Sequence, residues 1–303
     1  MIDLSALLQS TSRTFALAIP LLPDPTRQQV TVAYLLLRIA DTLEDASDWP
    51  ADRKIAELTA LCQLIESPAP RDVTPFAERI SNAPPGCTPA CLDLVKQTRE
   101  VLEEFDKLSP LSRAVITRHV VLTLRGMIST IEANDEHGHL QLQSLAELQR
   151  YCYIVAGLVG ELLTELFLLH TSSLSSAAAA LRQTAAAFGE GLQLTNILKD
   201  EKEDVASGRR YLPGDTSRAT VFQLARADLE LAARYVRALR STGAPRGVVE
   251  FTALPVRLAQ ETLAAVEAFG SGAKISRSKV AEIMTSIRTS LDQGTSIFPS
   301  NAE

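Results

Sequence analysis

Fifteen prolines are scattered through this 303-residue chain, and none of them falls between Pro110 and Pro213. An interior proline removes a helical hydrogen bond and clashes with the preceding turn, at about 3 kcal/mol. The long interval without one is therefore where long helices can run. Hydrophobic residues make up 46% of the chain but aromatic residues only 5%, so the apolar content is mostly Leu, Ala, Val and Ile, a mix that favours packed helices over sheets. Together these features predict an all-α chain. No stretch has the composition of a linker, and a single domain over residues 1–303 is expected.

Apolar periodicity predicts helices over 51 to 66, 90 to 107, 110 to 134, 144 to 170, 176 to 205, 217 to 241, 247 to 268 and 276 to 291. The segment from Pro68 to Pro89 reads as a loop with a short helical piece inside it. An earlier helix, TRQQVTVAYLLLRIADTLED, is expected to open with Asp24 as N-cap and Pro25 at its first position. Pro255 lies inside FTALPVRLA and should kink its helix. Gly157 and Gly160 in YCYIVAGLVG are costly in a helix unless they serve close packing or make room for a long ligand.

Two rows of carboxylates stand out against this apolar background. In QLTNILKDEKED, Asn196, Asp200 and Asp204 recur every fourth residue and stack on one helix face, each about 6 Å from the next. In DTLED, Asp41 and Asp45 are also four apart, and with Tyr34 and Arg38 they form one polar stripe on an otherwise apolar helix. Like charges at this spacing repel, so something positive should face them. A solvated face with Lys199 and Lys202 as partners would suit one such row. Two rows on separate helices suit an oxygen-preferring divalent cation and a diphosphate group.

The net charge of −6 argues against nucleic acid as a partner. Cys62, Cys87, Cys91 and Cys152 form no zinc-like pair of pairs, and a chain this long needs no disulfides, so a reducing compartment is expected. His137 and His139 sit in a glycine-containing loop, where a surface role is expected. The first residues lack a basic start and a continuous apolar core, and no run reaches the length of an uninterrupted spanning segment. A cytoplasmic protein without a transmembrane anchor is expected. There is no GxGxxG after a strand, no P-loop, no HExxH and no nucleophile elbow.

Taken in order, SRTF, YLLLRIADTLED, YCYIVAGLVG, QLTNILKDEKED and GRRYLP resemble the squalene and phytoene synthase family of head-to-head prenyl-diphosphate synthases. The resemblance implies an isoprenoid-synthase fold, a helical bundle around a central cavity, with prenyl diphosphate as substrate and magnesium as cofactor. It implies that Asp41 and Asp45 match the first aspartate-rich motif, and Asn196, Asp200 and Asp204 the second. Arg13 and Arg38 match residues that hold diphosphate, Gln193 a polar residue of the cavity, and Tyr151 the tyrosine of proton transfer and diphosphate departure. Arg209 and Arg210 match a basic segment near the diphosphate and, in reductive members, near NADPH.

Within the family, DTLED and FTALP look more like the squalene synthase branch, with Phe251 at the position of an aromatic residue facing the carbocation. GAKISRSKVAEIM resembles that branch's NADPH-holding segment, which brings in Lys274 and Arg277. What this implies is condensation of two farnesyl diphosphates to presqualene diphosphate and its reduction to squalene. A non-reductive synthase, yielding presqualene diphosphate, dehydrosqualene or phytoene, is the alternative, and a non-catalytic assembly factor of the same fold a more distant one. An apolar product is compatible with a peripheral membrane contact. The chain departs from the branch at Ile154, after the YCY triplet, and is expected to lack the C-terminal membrane anchor of its eukaryotic members.

Overall fold

A computed structural model describes residues 3–12, 14–133 and 140–298. The described residues are helical almost throughout, and they group into two compact units, Met1–Ile19 with Asp24–Leu140 and Pro20–Pro23 with Gln141–Glu303. The first unit holds α1 (Leu4–Thr11), α2 (Thr14–Ala18), α3 (Thr26–Glu44), α4 (Ala51–Glu66), α5 (Thr74–Asn82), α6 (Pro89–Lys96), α7 (Thr98–Asp106) and α8 (Pro110–Glu132). The second holds α9 (Leu145–Cys152), α10 (Leu158–His170), α11 (Ala178–Ala206), α12 (Arg218–Ser241), α13 (Arg246–Phe269) and α14 (Arg277–Gln293). His137 and His139 lie outside the described residues.

Each unit is built around one helix. In the first, α3 packs against α1, α4, α6, α7 and α8, and Val32, Leu35, Leu36, Ile39, Ala40 and Leu43 along it are buried. In the second, α11 packs against α9, α10, α12 and α13. The proline-free interval delivers the long helices expected of it, with 23 residues in α8 and 29 in α11.

Three local expectations are corrected. Asp24 does not cap α3: Pro25 occupies the cap position without a side-chain bond, and the Asp24 carboxylate pairs with Arg27 instead. The run 90 to 107 is two helices, because at Gln97 the backbone leaves helical geometry, φ −96° and ψ 22°. The run 144 to 170 carries a π-helical turn at Tyr153–Gly157 between α9 and α10. Pro255 lies inside α13, which continues on both sides of it.

That π turn and α10 lie on α11 with their backbones in near contact, and glycine makes this possible. A Cβ at Gly160 would fall 1.9 Å from the carbonyl oxygen of Ala185, and one at Gly189 would fall 1.9 Å from that of Ala156. Both distances are well inside van der Waals contact, and the obstacle is main chain that cannot rotate away. Close packing is thus the role of these two glycines. At Gly157 the same space is taken by the Tyr153 ring and the Glu190 carboxylate.

Two segments, Pro110–Glu132 and Leu145–His170, are long and apolar enough by length and composition to cross a membrane. About half of each, 44% and 56% of the apolar window, is buried inside the protein, as in core helices of a packed bundle.

The glycine contacts predict the sign of a substitution. In a free helix, alanine for glycine stabilises by about 1 kcal/mol. Gly189→Ala should instead destabilise by about 2 kcal/mol or more through overpacking, measured by denaturant unfolding. An unchanged or raised midpoint would mean that the π turn and α11 can separate freely.

Candidate active site

Helix α3 is buried on the sides that meet its neighbours, and the remaining side carries the stripe Tyr34, Arg38, Asp41 and Asp45. The first three are half-buried and Asp45 is exposed. Tyr34 donates its hydroxyl to the Thr11 carbonyl at 3.1 Å and packs its ring 5.7 Å from that of Phe15. Arg38 lies 3.7 Å from the Asp41 carboxylate and donates to the Cys91 sulfur at 3.5 Å. Its Nε is buried and has no hydrogen-bond partner among the described residues. Arg13 lies outside the described residues.

Asp41 is crowded by protein yet reached by water, with 41% of its side chain exposed. Burial pushes its carboxyl up to about 7; the Arg38 guanidinium opposes this and the Asp45 carboxylate adds to it. A carboxylate held this far from its ordinary range, beside an arginine with an unused donor, is suited to a site that gains its missing charge from a ligand.

In the second unit, α11 carries Asn196, Asp200 and Asp204 on one face, as the spacing predicts. Lys199 lies 3.0 Å from the Asp200 carboxylate and donates to the Asn196 side-chain oxygen at 3.3 Å. Arg209, just past the helix end, lies 3.4 Å from Asp204. Gln193 lies half-buried on the same helix. Asp204, Arg209 and Arg210 line a pocket of about 170 Å³ together with Glu201, Tyr211 and Ile197.

Tyr151 on α9 is buried and donates to the Tyr211 hydroxyl at 3.3 Å, with the two ring centroids 5.0 Å apart. The local fold supports this pair. A backbone bond from the Leu142 amide to the Arg210 carbonyl, 3.0 Å, ties the segment before α9 to the GRRYLP strand. Glu201 in turn pairs with Arg218, whose guanidinium also reaches the Leu198 carbonyl at 3.3 Å. Tyr211 and Glu201 escaped the sequence reading. Tyr211 had a usable signal, since it follows two arginines inside a motif already singled out.

The later candidates lie apart from this pocket's lining. Lys274 and Arg277 are exposed, Lys274 on the loop before α14 and Arg277 at the first position of α14; the loop is fastened to α11, where the Gly272 amide and the Ser271 hydroxyl both donate to the Lys199 carbonyl, at 2.7 Å and 2.9 Å. Phe251 is fully buried, meeting Phe167 edge to face with centroids 6.1 Å apart.

Among the described residues no three His, Cys, Asp or Glu side chains converge on a preformed metal cage. The donor set still fits magnesium. That ion takes oxygen ligands, keeps several waters, and is commonly held by one or two carboxylates plus substrate phosphates. Asp41 and Asp45, and Asn196, Asp200 and Asp204, offer such sparse all-oxygen sets.

The described residues form the all-α fold of the isoprenoid synthases, with an acidic row on the central helix of each unit. Residues 8–221 match the squalene/phytoene synthase family, and the chain belongs to that family. It is 34% identical over 208 residues to the squalene synthase of Eremothecium gossypii, an overlap of 68% of this chain and 44% of that protein. The match thus spans less than half the length of that relative. Among solved structures, a ligand complex of TcSQS superposes with a TM-score of 0.74 at 24% identity, over 93% of this chain and 84% of the other. A dehydrosqualene synthase complex gives 0.61 at 21% identity, over 96% and 95%. These structures share the isoprenoid-synthase fold.

A second group of carboxyls lies beside the π turn. Burial, and then the charges of Asp228 and Glu161, push Glu190 up to about 7; burial pushes Asp228 up to about 6. Both are raised above the unfolded range of about 4, so the fold retains protons that the unfolded chain has released. Stability should be full below about pH 4 from this source and decline as pH rises through about 7. Glu190→Gln removes the titration. Its melting temperature should fall less than the parent's between about pH 5 and about pH 8; an equal fall would exclude Glu190 as the cause.

Proposed function

We propose that this protein is a squalene synthase, which joins two farnesyl diphosphates head to head through presqualene diphosphate and reduces the product to squalene. The observation that carries the reading is the pairing of an acidic row with a basic neighbour on the hub helix of each unit: Arg38 with Asp41, and Lys199 and Arg209 with Asp200 and Asp204.

Asp41 and Asp45, and Asn196, Asp200 and Asp204, hold magnesium, and Arg13 and Arg38 hold diphosphate oxygens. Bound magnesium would neutralise charge developing on the leaving diphosphate, and NADPH would supply the hydride of the reductive half. The Arg38 guanidinium fixes the leaving group so that little reorganisation accompanies C–O cleavage. Tyr151, whose hydroxyl is already held by Tyr211, exchanges a proton with the departing diphosphate. Gln193 lines the cavity, which keeps water from the cation. Phe251 offers it an aromatic ring, from a position packed on Phe167. Lys274 and Arg277, with Arg209 and Arg210, hold the phosphates of the dinucleotide. The segment from Ala268 to Ala281, the end of α13, the connection and the start of α14, contains no acidic residue, which supports an anionic ligand there. The whole chain acts as one catalytic domain in the cytoplasm, with peripheral membrane contact for release of the apolar product.

A non-reductive synthase is the second reading. It is favoured by the family match ending at residue 221, which leaves Phe251, Lys274 and Arg277 outside the matched stretch.

Incubation with farnesyl diphosphate and magnesium, with and without NADPH, tests the proposal. Squalene should form only with NADPH. Lys274→Ala with Arg277→Ala should form presqualene diphosphate normally and convert less of it. The same product with and without reductant would select the second reading.

Asp200→Asn should lower turnover by about a hundredfold or more with little change in helical circular dichroism, because it deletes a ligand charge and no core contact. Near-parental turnover would remove the α11 row from the metal site.

A further inference from the structure

We propose that the outward stripe of α8 docks this protein on an anionic lipid bilayer. Leu111, Val115, Arg118, Leu122, Arg125 and Ser129 are spaced alternately four and three residues apart, which on a helix places them on one face. That face is open: Leu111 is 65% exposed and Leu122 42%, while Ile116, Val120, Leu124 and Met127 on the opposite side are buried. These two leucines are among the few large apolar side chains this exposed, and both lie on the same helix.

Charge selects the occupant. From Pro110 to Ile131 there is no acidic residue, in a chain whose net charge is −6; two of the three arginines, Arg118 and Arg125, lie on the stripe, and the third, Arg113, pairs with Asp106 off it. Arg118 lies between Leu111 and Leu122 with no ion pair among the described residues. Arg125 reaches sideways to Glu66 at 2.8 Å and keeps 61% of its side chain exposed. A second copy of this chain would bring the same arginines to the seam, with Glu66 already engaged. An anionic bilayer answers both features at once, since it takes leucines into the acyl boundary and arginines at its headgroups. The helix would lie along the surface, because its other faces belong to the core with α3 and α4.

The inference rests on the reading above in one respect: an enzyme whose product is a hydrocarbon gains by working at the phase that dissolves it. Its test does not depend on turnover. The full chain is sedimented with vesicles of phosphatidylcholine alone and of phosphatidylcholine mixed with phosphatidylglycerol. Parent protein should bind the anionic vesicles, bind neutral ones weakly, and be released by salt. Leu111→Gln with Leu122→Gln should reduce binding about tenfold, as should Arg118→Glu. Melting temperatures should change little and turnover of soluble substrate in detergent should stay at the parental value, since these side chains are exposed and lie outside the candidate site. Failure of the parent to bind, equal binding to neutral and anionic vesicles, or undiminished binding by the variants would overturn the proposal. So would a concentration-dependent dimer that the leucine variants abolish, which would assign the stripe to a second copy. Loss of the enzymatic reading would appear separately, as absence of product in detergent.

Discussion

A helix at the centre of a compact unit is pressed by neighbours on most sides, and every side chain on those sides must be apolar or fully satisfied. Any carboxylates it carries must then crowd onto what is left. Both α3 and α11 are in this position, and both carry their acids in rows one helical turn apart. Burial, and to a lesser extent mutual repulsion, raise the cost of ionising the row, and they push the Asp41 carboxyl up to about 7. The protein offsets this with bases placed one turn or less away: Arg38 on the same helix, Lys199 within the row, and Arg209 at the helix end. A helix built only for stability would have apolar or alternating charges there.

The legibility of this arrangement in the sequence was uneven, for physical reasons. The proline gap and the 3.6-residue period revealed the long helices, because both act through the helix's own hydrogen bonds. The acidic rows were legible too, since a four-residue spacing has one geometric meaning on a helix. The break at Gln97 was not, because neither glycine nor proline marks it. The π turn at Tyr153–Gly157 inserts one residue into a helix without interrupting its apolar pattern, so only its glycines hinted at it. Asp24 followed the local rule for an N-cap, and an alternative partner, Arg27, three residues on, took its carboxylate.

Glycine shows why spacing alone could not decide between packing and room for a ligand. Both uses require the absence of a side chain, and they differ only in what fills the space. Around Gly160 and Gly189 it is the opposing main chain, at 1.9 Å from the missing Cβ. Such an approach fixes the distance between α10 and α11. It also fixes where Tyr151, one helix earlier, meets Tyr211 after α11. Tyr211 lay inside a motif the sequence singled out, but its pairing was not legible, because its partner lies sixty residues away.

The resting partners of the acidic rows also bear on how the proposed reaction would begin. In the structure each carboxylate that has a nearby cation takes it from this chain: Asp41 from Arg38, Asp200 from Lys199, Asp204 from Arg209. If magnesium arrives with a diphosphate, the carboxylates acquire a stronger cation and the bases acquire a stronger anion. The exchange conserves the number of opposite-charge contacts, so little free energy is lost in breaking the resting pairs. What would change is geometry, because Lys199 and Arg209 would be freed from their carboxylate partners on α11 to face phosphate oxygens. Lys199 is placed to make that change local. Its carbonyl holds the Gly272 amide and the Ser271 hydroxyl, so its backbone remains clamped while its amine moves. The clamp keeps the loop of Lys274 and Arg277 in register with the acidic row whichever partner the row has.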